Sequence, residues 1–150
     1  MKTQVLSVEQ MRHLQELGVD TSSPKMAWYA IYETLPEWYN ELNIRDDVFD
    51  KNYPSVPIFT LQDMMEIIPS SIESDNTLYH FELLKLGSST YSMGYKGIVD
   101  ETVDENGDEI NRIKYHILLW NKNLLTCAYE MLCWVAENGY LKGSNNEERD

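Results

Sequence analysis

Residues 98–113 read IVDETVDENGDEINRI, and this stretch decides the fold class because it predicts an antiparallel hairpin. An Asn-Gly pair between two alternating runs favours a two-residue type I′ turn, since both positions need a positive φ angle. The turn is therefore placed at Asn106 and Gly107. The predicted cross-strand pairs are Val103 with Ile110, Glu101 with Arg112, and Val99 with Lys114. The second pair joins opposite charges, which supports the register.

Strands extend outward from this turn in both directions. Residues 91–103 predict one strand, in which Gly94 and Gly97 are weak points or bulge sites. Residues 78–86 predict an earlier strand that is buried on both faces or nearly so. After the turn, alternation places one set of side chains on one face: Ile113, Tyr115, Ile117 and Leu119. The same alternation leaves another set on the opposite face: Arg112, Lys114 and His116.

Three helices are predicted from caps and from apolar spacing. The first covers 7–17, where Ser7 and Gln10 form a capping box and Gly18 ends the helix. Its apolar face consists of Val8, Met11, Leu14 and Leu17. A short helix covers 61–68 and is closed by Pro69, and the last helix covers about 123–138 before Gly139.

The remaining segments are less regular. Residues 26–32 favour a strand by their aromatic and β-branched content, with a helix over 26–42 as the alternative. Residues 33–52 have no clear pattern, and residues 70–76 predict a polar connection. We therefore expect an α+β fold, an antiparallel β-meander of three or more strands with two or three helices packed on one face. A single acidic domain is predicted over 1–143, followed by a polar C-terminal tail over 144–150.

Composition excludes several broad classes of protein. The chain has 150 residues, with 12 Lys and Arg against 25 Asp and Glu, and a formal net charge of -13. An apolar content of 43% and an aromatic content of 11% are enough to build a core, so a wholly disordered acidic chain is excluded. The excess of acids argues against direct nucleic-acid binding and against an anionic membrane surface, because both need surplus Lys and Arg.

The sequence predicts a cytoplasmic protein. The N-terminus lacks the apolar segment of a secretory signal, and no run approaches the length of a membrane span. Cys127 and Cys133 lie six positions apart in one predicted helix, which puts them too far apart around its axis for a disulfide. They are interpreted as small apolar core residues in a reducing compartment.

Motifs for catalysis, cofactors and metals are absent from the sequence, so no catalytic residue, no cofactor and no metal site is predicted. Asp104, Asn106 and Asp108 have the first spacings of a calcium loop, but the later ligand positions do not match, which favours a solvated hairpin tip. His13, His80 and His116 have no metal-like spacing. A meeting of the last two across neighbouring strands, as a metal pair or a general base, is left open.

The strongest candidate for a functional surface is an aromatic and acidic stretch within 28–53. Trp and Tyr are enriched at protein interfaces, and an acidic rim attracts basic partners. The alternative is that half of these aromatic residues pack in the core. The predicted partner-binding residues are Trp28, Tyr32, Glu37, Trp38, Tyr39, Glu41, Asp46 and Asp47.

Three segments carry a resemblance to known sequences. They are LSVEQMRHLQELGVDTS at 6–22, FTLQD at 59–63, and AYEMLCW with ENGY at 128–134 and 137–140. Together they resemble short uncharacterised proteins of gut Bacteroidales phages, prophages and mobile elements. The resemblance implies a bacterial or phage cytosol and an accessory role, including conflict between host and element. It implies no catalytic residue.

Three function hypotheses follow. The first is a non-enzymatic protein-binding accessory factor of a phage or mobile element, one form of which inhibits a host defence protein. The second is a small-ligand-binding or sequestering protein with a pocket lined by Tyr and Trp. The third is a small enzyme with an unrecognised site. A homodimer is left open, because a sheet edge or the aromatic stretch could contact a second copy.

Overall fold

The computed structural model describes residues 5–22, 26–30, 40–44 and 55–141, which fall in two compact units, Met1–Ile67 and Ile68–Asp150. The described ranges contain three helices and seven strands. Every strand pairing in them is antiparallel, so the α+β class and the predicted meander are confirmed. The predicted single domain over 1–143 stays a prediction, and the predicted tail over 144–150 lies outside the described residues.

The N-terminal unit contains a three-stranded sheet. Its elements are α1 (Val8–Glu16), β1 (Met26–Ala30), β2 (Asn40–Ile44), β3 (Ser55–Ile58) and α2 (Leu61–Ile67). The strand order is β2-β1-β3, and α1 packs against β3. The strand predicted over 26–32 is confirmed as far as residue 30, so the alternative helix is wrong there. The largest fully buried side chains of this unit are Leu6, Met11, Leu14, Ile58, Phe59 and Met64.

The predicted first helix is confirmed together with its caps. The Gln10 backbone N–H donates to Ser7 Oγ at 3.2 Å, and the Ser7 backbone N–H donates to Gln10 Oε1 at 2.9 Å. This reciprocal pair satisfies two of the N–H groups that a helix start leaves without partners. Gly18 follows with a φ angle of 89°, which lets the next N–H, that of Val19, bond back to the Leu14 carbonyl.

The C-terminal unit is a four-stranded meander covered on one face by a helix. Its elements are β4 (Ser71–Ser74), β5 (Thr77–Leu86), β6 (Thr90–Val103), β7 (Glu109–Asn121) and α3 (Leu124–Glu137). The strand order is β4-β5-β6-β7, and α3 packs on β6 and β7. Side chains of α3 form much of the core here, including Cys127, Ala128, Met131, Leu132 and Val135.

The hairpin predicted from the Asn-Gly pair exists, but its register is wrong. Gly107 alone has a positive φ angle in this turn, 85°, and its N–H bonds to the Asp104 carbonyl at 3.1 Å. The loop is therefore longer than the predicted two residues, a type I turn closed by a left-handed glycine. The observed pairs are Val103 with Glu109, Thr102 with Ile110, Glu101 with Asn111, Asp100 with Arg112, and Gly97 with Lys114.

The segment predicted as a polar connection contains β4 and a second hairpin. Asp75 and Asn76 both have positive φ angles, 51° and 64°, which is the two-residue geometry predicted for residues 106–107. Asp and Asn tolerate the left-handed region, so no glycine is needed. Ile72 lies opposite Tyr79 and is 5% exposed, which anchors this short, polar strand to the core.

The alternation predicted along β7 is wrong at His116. Tyr95 lies opposite Ile117 and Lys96 lies opposite Tyr115, which leaves His116 as an extra residue in a β-bulge. The bulge puts His116 on the face that carries α3, where its ring lies 5.7 Å from that of Trp134. It also leaves Tyr115 on the opposite face, against the prediction that Tyr115 shares a face with Ile117.

One buried tyrosine, Tyr95, and one half-buried tyrosine, Tyr129, predict a loss of stability in alkali. Burial raises the pKa of Tyr129 to about 12, with a hydrogen bond to Cys133 as the next cause, and burial also raises the pKa of Tyr95. Above about pH 10 the unfolded chain ionises these phenols while the folded chain keeps them protonated, so unfolding releases protons and stability falls as pH rises. Urea unfolding of the wild type should show this fall from about pH 10 to about pH 12, between the ordinary phenol pKa and the raised pKa of Tyr129.

The Tyr129→Phe variant is the control for this pH effect. It should lose less stability than the wild type over the same pH interval, because the phenol of Tyr129 with its raised pKa is gone. Identical pH dependence in the two proteins would contradict a contribution of Tyr129.

Candidate functional site

The predicted partner-binding residues are only partly placed. Trp28 lies on β1 opposite Leu42 and Val56, and Glu41 lies on β2 opposite Tyr29. Their side chains are not among those described. The other six lie outside the described residues: Tyr32, Glu37, Trp38, Tyr39, Asp46 and Asp47. The aromatic and acidic stretch therefore stays a prediction.

The face of the C-terminal sheet opposite α3 carries exposed apolar side chains. Directly paired residues of antiparallel strands point to the same face, so the register identifies its members. We call this surface the open face. Its exposed apolar residues include Leu78, Leu84, Leu86, Ile98, Ile113, Leu118 and Trp120. The prediction that β5 is buried on both faces is wrong, because Leu78 is 51% exposed and Leu84 is 42% exposed.

A polar bridge crosses the middle of the open face and links three strands. The Tyr115 hydroxyl donates to Glu82 Oε1 at 2.6 Å, and Lys96 Nζ donates to Glu82 Oε2 at 3.4 Å. Lys96 Nζ also lies 5.9 Å from the centroid of the Tyr115 ring. The hydrogen bond to Glu82 raises the pKa of Tyr115, so the phenol stays a donor at neutral pH. We call these three residues the Glu82 bridge.

Gly94 makes the bridge possible. It lies on β6 directly opposite Glu82 on β5, so Tyr115 on β7 must reach across β6 to bond Glu82. A Cβ atom on Gly94 would lie 2.7 Å from the Ile117 carbonyl oxygen and 3.2 Å from Tyr115 Cδ1. The first contact is closer than real Cβ atoms come to a backbone oxygen, and the second is tighter than most Cβ contacts. Position 94 therefore requires glycine because atoms of β7 lie close to its backbone, and not because of its φ angle.

The bridge divides the open face into two regions. On one side lies an open cavity of about 580 Å³. We call it the Lys96 groove, and its lining includes Leu78, His80, Glu82, Lys96, Ile98 and Ile113. On the other side lies a second set of exposed residues, which we call the Trp120 patch: Leu84, Leu86, Leu118 and Trp120. Ser92, the β6 residue opposite both Leu84 and Trp120, is only 3% exposed and forms the floor between them.

His80 and His116 do not meet. His80 lies opposite Lys96 on the open face, whereas His116 lies on the α3 face among aromatic rings, 5.0 Å from Tyr79 and 6.4 Å from Tyr140. His80 and His116 therefore do not form the shared metal or base site that the sequence leaves open. Among the described residues, no group of three or more His, Cys, Asp or Glu is placed to hold a metal ion.

The acidic hairpin tip uses its first aspartate to build the turn. Asp104 Oδ1 accepts the backbone N–H groups of Asn106 at 2.8 Å and Asp108 at 2.9 Å. A carboxylate that accepts two local N–H groups stabilises the loop by itself. This geometry agrees with the interpretation of residues 104–108 as turn chemistry.

The two cysteines are buried and unpaired with each other, as the helical spacing predicts. Burial raises the pKa of both thiols, and the nearby Glu130 raises them further. A raised pKa disfavours the nucleophilic thiolate, so these side chains have the properties of core residues.

Within the described part of the chain, no helix has the length and apolarity needed to cross a membrane.

The sequence contains one signal for the open face that the prediction of a buried strand overlooks. Alternate residues of β5 are Leu78, His80, Glu82, Leu84 and Leu86, which is a mixed set typical of a surface strand.

In comparisons with known proteins, no family model, no curated protein and no solved structure matches this chain.

Proposed function

We propose that this chain is a non-enzymatic protein-binding accessory factor and that the Trp120 patch is its main contact surface. The observation that carries the proposal is the 65% exposure of Trp120 beside three further exposed leucines. An exposed tryptophan with apolar neighbours costs free energy in water and recovers it on contact with a partner. Trp is also among the residue types most enriched at interface hot spots.

The overall charge indicates the kind of partner. A net charge of -13 steers a basic protein towards this chain and disfavours nucleic acid and anionic membranes. The aromatic and acidic stretch around Trp38 and Glu41 is proposed as a second contact region. On the basis of the resemblance to mobile-element proteins, the proposed setting is the bacterial cytoplasm, with inhibition of a host defence protein as one form of the activity.

The test is capture of a partner from a lysate of a gut Bacteroidales strain with tagged wild type and with Trp120→Ala. Trp120→Ala should capture at least about tenfold less partner than the wild type does, as expected for a central aromatic anchor. Its unfolding free energy should change by less than about 0.5 kcal/mol, because the side chain is exposed.

Val103→Ala is the matched control, because Val103 is also 65% exposed but lies beside the hairpin turn. It should capture the partner as well as the wild type does. Equal capture by Trp120→Ala and wild type would contradict the Trp120 patch as the contact surface. Loss with Trp38→Ala alone would move the site to the aromatic and acidic stretch. Concentration-dependent dimers that Trp120→Ala abolishes would identify the partner as a second copy.

A further inference from the structure

The Lys96 groove has the size and lining of a small-molecule site. Its volume of about 580 Å³ falls within the range of such sites. Three aliphatic side chains line it: Leu78 is 51% exposed, Ile98 is 49% exposed and Ile113 is 53% exposed. Ile98 and Ile113 lie directly opposite each other on β6 and β7. An apolar ligand body would remove this surface from water, at about 25 cal/mol for each Å² covered.

The polar group in this groove is a cation with spare donors. Lys96 Nζ carries three N–H donors, and among the described residues Glu82 is its one hydrogen-bond acceptor, at 3.4 Å. The Lys96 side chain is 39% exposed, so a ligand can reach it. His80 lies directly opposite on the neighbouring strand and lines the same groove.

Glu82 limits which ligand charge fits. One of its oxygens accepts from Tyr115 and the other from Lys96, so each already holds one hydrogen bond. A cationic ligand would lie beside the Lys96 ammonium, which repels it. A phosphate dianion would meet one ammonium next to a fixed carboxylate, whereas phosphate sites combine several donors or cations. A monocarboxylate needs fewer donors, and it can accept from the two Lys96 N–H groups that Glu82 does not take.

We propose that the Lys96 groove binds a small apolar monocarboxylate, with its carboxylate on Lys96 and its hydrocarbon body against Leu78, Ile98 and Ile113. This inference goes beyond protein binding at the Trp120 patch and does not depend on it. The Lys96 groove and the Trp120 patch lie on opposite sides of the Glu82 bridge. A substitution can therefore disrupt one of these two sites and leave the other intact.

The experiment is a titration of the isotope-labelled full chain with hexanoate, 1-hexanol and hexylamine, followed by two-dimensional NMR. Hexanoate should shift the amide signals of Leu78, Gly97, Ile98 and Ile113 at concentrations up to about 10 mM, the range of a weak fragment. Hexanol should bind about tenfold more weakly, because it lacks the charge-assisted hydrogen bond, and hexylamine more weakly still.

Two variants test the role of the ammonium. Lys96→Met should lower hexanoate affinity about tenfold and leave hexanol affinity unchanged, while Lys96→Arg retains hexanoate binding. Trp120→Ala should bind hexanoate as the wild type does, so failure of the protein-binding proposal leaves this result intact.

Several outcomes would overturn the proposal. These are no shifts at the groove with hexanoate, equal affinity for all three probes in the wild type, or unchanged hexanoate affinity in Lys96→Met. If Lys96→Met fails to fold, the comparison of the three probes on the wild type decides alone.

Discussion

Gly94→Val is expected to destabilise the C-terminal unit by more than about 3 kcal/mol. The new Cβ atom would meet the Ile117 carbonyl at 2.7 Å and Leu118 Cδ1 at 2.9 Å. The Ile117 carbonyl is part of the β7 backbone, so it cannot yield as the far end of a flexible side chain can. The added side chain would also block Tyr115 from Glu82 and so remove the bond at 2.6 Å.

The measurement is urea unfolding followed by circular dichroism, with Gly87→Ala as the control. Gly87 has a φ angle of 65°, and nothing lies within 4 Å of the place that a Cβ atom would take, so its substitution reports backbone strain alone. That strain should cost about 1 kcal/mol. A Gly94→Val protein within about 1 kcal/mol of wild type would contradict the close-approach explanation.

The second large effect is expected for Tyr95→Ala, at about 3–5 kcal/mol. Tyr95 is completely buried, and its ring lies 5.7 Å from that of Phe81 and 6.1 Å from that of Trp134. The alanine variant would leave a large cavity between β6 and α3, and close-packed cores relax only partly around such cavities. It would also leave the Pro69 carbonyl without its donor, since the Tyr95 hydroxyl bonds it at 2.6 Å.

Tyr95→Phe separates the two contributions to this loss. It keeps the ring and removes the hydroxyl, so it should cost about 1–3 kcal/mol, the penalty of an unsatisfied buried acceptor. Urea unfolding of the three proteins gives both values. A phenylalanine variant as unstable as the alanine variant would contradict a packing role for the ring, and one as stable as wild type would contradict the importance of the hydrogen bond.

The elements with local signals were predictable from the sequence. The capping box of Ser7 and Gln10 and the left-handed Gly18 determine α1 through contacts a few residues apart, and they are confirmed. The strand β4 was missed because its composition is polar and its burial rests on one residue, Ile72. The sequence predicts a two-residue turn at Asn106 and Gly107, which lie within the observed loop, but the predicted register is wrong because Asn-Gly serves both two-residue and longer loops.

The Glu82 bridge on the open face could not be predicted from local sequence patterns. Tyr115 and Glu82 are 33 positions apart, and their contact depends on a register and on the bulge at His116 that shifts every later side chain of β7. A single extra residue in a strand leaves no mark on composition or charge. The prediction of partner-binding residues around Trp38 rests on residue type, which indicates interface chemistry but not its position.

The central claim is that the Trp120 patch contacts a partner protein, and site-specific photo-crosslinking in bacterial cells tests it most directly. A photoreactive amino acid is placed at Trp120 in one protein and at Val103 in another, two positions that are each 65% exposed. One discrete crosslinked species is expected from position 120 and none from position 103. Equal crosslinking from both positions, or crosslinking from position 103 alone, would contradict the central claim.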